Sequence, residues 1–146
     1  MSDPKPVKDF VASDITMVKN AIHNPADPRH YARVKPVERL ISITYKGQIL
    51  AQTTNGLRVL EVGHDLYDPA LYLPVDAIKV KLVINQKTSH CPLKGDAQYF
   101  NLIDQDNNII EENIAWSYPE PFGFIDAIKG KISFYTDRVT MEEAPL

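Results

Sequence analysis

Apolar residues along this chain follow two different periods. Val11, Ile15, Val18 and Ile22 recur at spacings of four, three and four, which predicts one stripe of an amphipathic helix. Asn24-Pro25 ends that stripe, because the residue before a proline is pushed out of the helical region. Asp27-Pro28 is expected to keep the chain irregular. Ahead of the stripe, Met1 to Lys8 holds two prolines and no apolar period, the pattern of a frayed tail.

From Leu40 the period becomes two. Ile41, Ile43 and Tyr45 alternate with Ser42 and Thr44, Lys46-Gly47 turns, and Gln48 to Thr53 returns. Asn55-Gly56 is the strongest hairpin signal in the chain and leads into Leu57 to Val62. Leu71 to Leu73 reads as a short strand, and Pro74 suits the first turn of a brief helix to Ile78. Val80–Ile84, Gln98–Ile103 and Ile109–Glu112 predict further strands, the last two joined across Asp104 to Asn108. Phe124 to Lys129 predicts one or two helical turns closed by Gly130. Lys131–Tyr135 and Arg138–Glu142 predict a final hairpin around Thr136-Asp137. About eight short strands with few helices imply a mainly β fold, a curled sheet, barrel or sandwich. The expected organisation is a flexible tail over 1–8, an N-terminal helix and leader over 9–40, and one folded β unit over 41–146.

Composition narrows the class. At 146 residues the chain fits one domain, and 44% apolar with 24% charged residues excludes a disordered or collagen-like chain. Eleven prolines against six glycines favour rigid turns. The net charge of −3 argues against capture of a nucleic acid polymer or an anionic membrane. Charge is uneven, with eight Lys/Arg against five Asp/Glu in residues 1–46 and eight against fourteen beyond. The basic excess peaks at Arg29, Arg33, Lys35 and Arg39, read as a solvated face or as an anion site. One cysteine, Cys91, leaves no internal disulfide and no cysteine-based structural zinc. Neither a signal-peptide pattern nor a membrane-length apolar run occurs, so a cytoplasmic setting is expected.

Three segments concentrate chemistry. In Thr88 to Asp96, the Cys91 thiol lies beside His90 and three residues before Lys94. A nearby cation favours the thiolate that a nucleophile needs. Neighbours on a strand point to opposite faces, however, so His90 and Cys91 pair only off a strand. The segment is either a structural turn with a buried thiol, a ligand loop in which Lys94 meets an anion, or a nucleophile loop. In Ala115 to Pro121, Trp116, Tyr118 and Glu120 recur at period two, so they line either one face of a ligand pocket or a core and its edge. In Phe134 to Val139, Asp137 and Arg138 occupy a turn, as general base and anion clamp or as a local brace. His23, His30 and His64 lack metal-ligand spacing and read as structural. No metal or organic cofactor is implied.

Those strings also carry a resemblance. Ser89 to Ala97, Ala115 to Pro121 and Phe134 to Val139, together with Leu57 to Glu61 and Asp68 to Pro74, resemble the bacterial domain-of-unknown-function family 427. The resemblance runs from about Ile41 to Met141, with Arg29 to Pro36 similar to the leader of one branch. It implies a fold like the Mss4-like β-tent group, whose bent antiparallel sheets enclose a pocket, and it carries a nucleotidyltransferase-like label. Zinc-bearing relatives in that group use paired CxxC knuckles; this chain departs from them with Cys91 alone. A transferase needs clustered carboxylates for Mg²⁺, for which the motifs offer Asp96, Glu120 and Asp137.

Two functions follow as expectations. One is an enzyme-like pocket for a small phosphate-bearing or nucleotide-like ligand. It takes Lys94, Arg138 and His90 as contacts, Trp116 and Tyr118 as stacking rings, Asp137 or Glu120 as acid/base, and Cys91 as a third catalytic candidate. The other is a non-catalytic module binding a ligand or a protein, with the same aromatics as a cage. In either case Lys94 or Arg138 is expected to pair with Asp137 or Glu120 beside the rings. The helix stripe is expected either to cover its own sheet or to form a homodimer.

Overall fold

The computed structural model describes residues 19–63 and 67–146. Eleven strands and two 3-10 segments follow one another: β1 Ile22–Asn24, β2 Asp27–Val37, β3 Leu40–Tyr45, β4 Gln48–Thr53, β5 Gly56–Val62 and β6 Ala70–Tyr72 come first. After the 3-10 turn Val75–Ala77 come β7 Lys81–Cys91, β8 Gly95–Ile103 and β9 Ile109–Ser117. The 3-10 segment Gly123–Ile128, β10 Ile132–Phe134 and β11 Thr140–Ala144 complete the order. They form three antiparallel sheets, ordered β1-β2-β5-β6, β10-β9-β8-β7 and β11-β3-β4. The domain is mainly β, as the period-two pattern predicts, and the described strands close no barrel.

The helix stripe falls mostly on residues outside those described; its last position, Ile22, is in a strand paired with Ala32. The irregular segment expected at Asp27-Pro28 is instead the start of an eleven-residue strand. Only Ala32 and Val34 mark its inward face as apolar, and Arg33 and Lys35 are exposed on the other, so charge masks the alternation. Both prolines of β2 are near its ends, where a missing ladder donor costs least. β2 is in register with β5 from Tyr31↔Val62 to Val37↔Gly56, so the leader shares a sheet with the β unit.

Two predicted hairpins are crossings between sheets. β4 pairs with β3 and β5 with β2 and β6, so Asn55-Gly56 joins different sheets rather than neighbours. Gly56 packs closely: a Cβ there would come within 2.3 Å of Ile41 Cδ1, so that side chain would have to move. Likewise β10 pairs with β9, and β11 with β3. Arg138 crosses the join by donating to the Glu112 and Asn113 carbonyls at 2.5 and 2.8 Å.

Burial divides the interior in two. Ile41, Ile43, Leu50, Leu102, Ile114 and Phe134 centre one core under the third sheet. Ala32, Val59, Tyr72, Leu93, Tyr99 and Tyr118 form another between the first and second sheets. The second core is rich in tyrosine, and it adjoins the polar cluster described next.

Candidate functional site

Alternation on two neighbouring strands builds the first half of the site. His30, Ala32 and Val34 face inward on β2, while Val59 and Glu61 face inward on β5, with Ala32 opposite Glu61. Glu61 therefore continues an apolar row into the interior, where an unpaired carboxylate would be very costly. It is held by two partners. His30 Nε2 donates to Glu61 Oε2 at 2.6 Å, and Lys94 Nζ donates to Oε1. The Glu61 and Lys94 side chains are only 6% and 12% exposed, so the pair is desolvated from both ends.

The second half comes from the tight turn between β7 and β8. Cys91 is in register with Gly95, leaving Pro92-Leu93-Lys94 as the loop. Gly95 has φ +114, and its absent Cβ leaves room for the Glu120 carbonyl; a side chain is strained in that backbone region. Leu93 is fully buried in the tyrosine-rich core. That anchor fixes the loop, and Lys94 reaches from the second sheet to Glu61 on the first. Its ammonium also lies 5.6 Å from the centroid of the Tyr118 ring.

Aromatic rings wall the space beside this pair. Trp116 packs on Tyr135 at 4.6 Å and meets Tyr72 edge-on at 6.2 Å, donating Nε1–H to the Tyr72 oxygen at 3.1 Å. Burial raises the Tyr72 and Tyr118 phenols well above their ordinary value, and pushes Tyr135 up to about 12. All three therefore stay neutral at physiological pH. Tyr67 stacks over His30 at 6.3 Å, and Gly63 leaves room for both, since a Cβ there would press on each.

Two adjoining cavities result. One of about 280 Å³ is lined by Tyr72, Trp116 and Tyr135; the other, of about 340 Å³, by His30, Ser89, Cys91 and Tyr118. Glu61, Tyr67 and Lys94 line both. A larger hollow of about 560 Å³ by Gln48, Lys81 and Asp104 has no ring wall and no buried ion pair among its described lining residues.

Residues 33–144 match the family described as domain of unknown function (DUF427). The chain belongs to DUF427. That description names no activity, and no functionally curated protein matches the chain. The DUF427 match contains Glu61, Lys94, Trp116 and Tyr118, whereas His30 lies three residues ahead of it.

Of the residues singled out from sequence, Lys94, Trp116, Tyr118, Cys91 and His90 line one cavity or the other. The expected partners of Lys94 are elsewhere. Glu120 is 84% exposed beside Lys129, and Asp137 is 78% exposed beside Arg138. The chain leaves β9 after Ser117, so Pro119 turns Glu120 away from the face shared by Trp116 and Tyr118. His90 is exposed and pairs with Asp96 at 2.7 Å. Glu61, His30, Tyr67 and Tyr72 were not singled out as site residues. The signal for Glu61 was its place in the row Leu57, Val59, Glu61, a carboxylate where alternation puts an apolar side chain.

His30, Glu61 and Cys91 are the group among the described residues with metal-capable atoms all within 4.8 Å of one another. Hydrogen bonds already engage the His30 nitrogens and the Glu61 oxygens. The Ala26 N–H holds Asn24 Oδ1 at 3.0 Å, which turns Asn24 Nδ2 toward His30 Nδ1 at 3.4 Å. Nδ1 then accepts, and Nε2 carries the proton given to Glu61, whereas a ligating nitrogen must be bare. With Lys94 on the other carboxylate oxygen, Glu61 ties the His30 imidazole to the Lys94 ammonium.

Proposed function

We propose that this DUF427 chain is a small-molecule-binding domain whose ligand lies between the first and second sheets. Its flat face meets Trp116 and Tyr135, and its polar edge meets Lys94 and Glu61. The observation that carries the reading is the desolvated Lys94–Glu61 pair set against a wall of rings. A few placed polar groups in an aromatic recess are the usual make-up of a ligand site. The cavity of about 280 Å³ is just below the ~300–1,000 Å³ range of such sites, which favours a molecule of one or two rings. Trp116 is the single tryptophan of the chain, so its fluorescence reports the site directly. Titration of full-length protein with a set of planar fragments should give saturable changes in emission and a raised melting temperature. If no fragment does either, the reading fails.

A second, catalytic reading has one observation in its favour. Glu61 bridges an ammonium and a tautomer-fixed imidazole, the setting of a general acid or base. Product formation from a bound compound, lost in Glu61→Gln, supports it; binding without turnover supports the first reading. Asp96 pairs with His90, Glu120 with Lys129 and Asp137 with Arg138 at separate places on the surface, so these three supply no carboxylate cluster for Mg²⁺-dependent transfer.

A further inference from the structure

Resting on the small-molecule reading above, we infer that the ligand is an uncharged or cationic nitrogen heterocycle of nucleobase or nucleoside size, held by a side-by-side donor and acceptor, and not a nucleoside polyphosphate. Three observations converge on that class.

The first is charge. Among the described residues, Lys94 is the one lysine or arginine lining the two cavities, and Glu61 already neutralises it. Asp68 adds a second carboxylate to the rim. Arg138, the other expected anion contact, has its guanidinium on two backbone carbonyls. A phosphate entering this space would meet excess negative charge and lose its hydration without a free cation to replace it. Faces of aromatic rings likewise favour cations over anions.

The second is the polar edge. An ammonium has three N–H groups, and a carboxylate has about four lone-pair sites. Glu61 uses one of the Lys94 protons, and Lys94 and His30 use one site on each Glu61 oxygen. What remains is a charged donor beside a charged acceptor. A ring cis-amide or amidine, with N–H next to C=O or a bare ring nitrogen, matches that pair with two charge-assisted hydrogen bonds.

The third is shape. The ring-lined cavity suits a flat base against Trp116. The adjoining cavity, with Ser89 and His90 on its wall, suits a neutral polyol such as ribose. The two meet at Glu61, Tyr67 and Lys94, where base and sugar would join.

Trp116 emission and calorimetry on the full chain test this. The probes are the free bases, their nucleosides, the 5′-mono- and triphosphates, and indole as a ring lacking the paired edge. Saturable binding of at least one base or nucleoside is expected. A 5′-phosphate on the same compound should weaken binding at least tenfold. Blocking the edge by N-methylation of the ligand should do the same, with no change to the protein. Glu61→Gln should also weaken it at least tenfold while circular dichroism stays native. Triphosphates that bind more tightly than their nucleosides, or N-methylation without effect, would overturn the inference while leaving a planar-ligand site standing. Binding of indole alone has the same meaning. Silence from every compound, indole included, removes the site reading itself.

Discussion

Lys94 in the β7–β8 turn donates a hydrogen bond to Glu61 on β5, and this contact joins two sheets that are otherwise packed through tyrosines and aliphatic side chains. The pair is desolvated, so each charge depends on the other. Removing one partner of a buried pair typically costs about 3–5 kcal/mol, while replacing both by apolar groups is often near neutral. Urea unfolding of Glu61→Leu, Lys94→Met and the double variant should therefore show strong positive coupling. The double variant should be more stable than either single one. Additive losses would mean that the two charges are solvated independently.

Trp116 is half-buried and lines a cavity. Its truncation to Ala should cost about 2 kcal/mol, below the ~3–5 kcal/mol of a fully enclosed large side chain. Ligand-induced thermal stabilisation should vanish at the same time. Trp116→Phe keeps most of the ring contact and loses the hydrogen bond to Tyr72, so it should recover much of the stability. A loss above 4 kcal/mol in Trp116→Ala would identify the ring as core.

Ser133 has the opposite expectation. Its hydroxyl is fully buried on β10 and has no hydrogen-bond partner among the described residues. Burying an unsatisfied polar group costs about 1–3 kcal/mol, so Ser133→Ala should raise the melting temperature. A lowered midpoint would place an acceptor near that oxygen.

Alkaline titration tests the tyrosine wall. Burial raises the Tyr72, Tyr118 and Tyr135 phenols above the ordinary 10.0. The unfolded chain releases those protons first, so between the unfolded and folded values it binds fewer protons than the native state. The stability these phenols contribute is complete below about pH 10 and is lost as pH rises beyond it. The Tyr72, Tyr118 and Tyr135 phenolates should appear only with unfolding. Ionisation of these three near pH 10 in the folded protein would contradict the burial.

Much of this was legible in the sequence. The period-two run Ile41, Ile43, Tyr45 marked β3, the Lys46-Gly47 turn marked its return in β4, and Pro74 marked the turn after β6. The aromatic half of the site was legible as well, since Trp116 and Tyr118 share a face at spacing two. What failed was partner choice. Asn55-Gly56 and Thr136-Asp137 have turn chemistry, but the flanking strands part because β5 pairs with β2 and β6 and β11 with β3. Asp137 and Glu120 drew notice for standing inside motifs, while Glu61 was hidden in a strand. Its partner Lys94 is 33 residues away, a distance no local pattern spans.

The third sheet carries a consequence for how the molecule forms. Residues 40–44 of β3 pair with residues 140–144 of β11, about a hundred positions apart, although β3 and β4 turn back on each other at once. A contact that distant in sequence closes late, since the loop entropy of joining it is met before its bonds form. Until then β3 has an open edge bearing Ile41 and Ile43, the kind of edge that recruits other chains. During synthesis that hairpin is complete while its outer partner has yet to be made. Its safety in that interval rests on the speed with which the rest of the chain arrives.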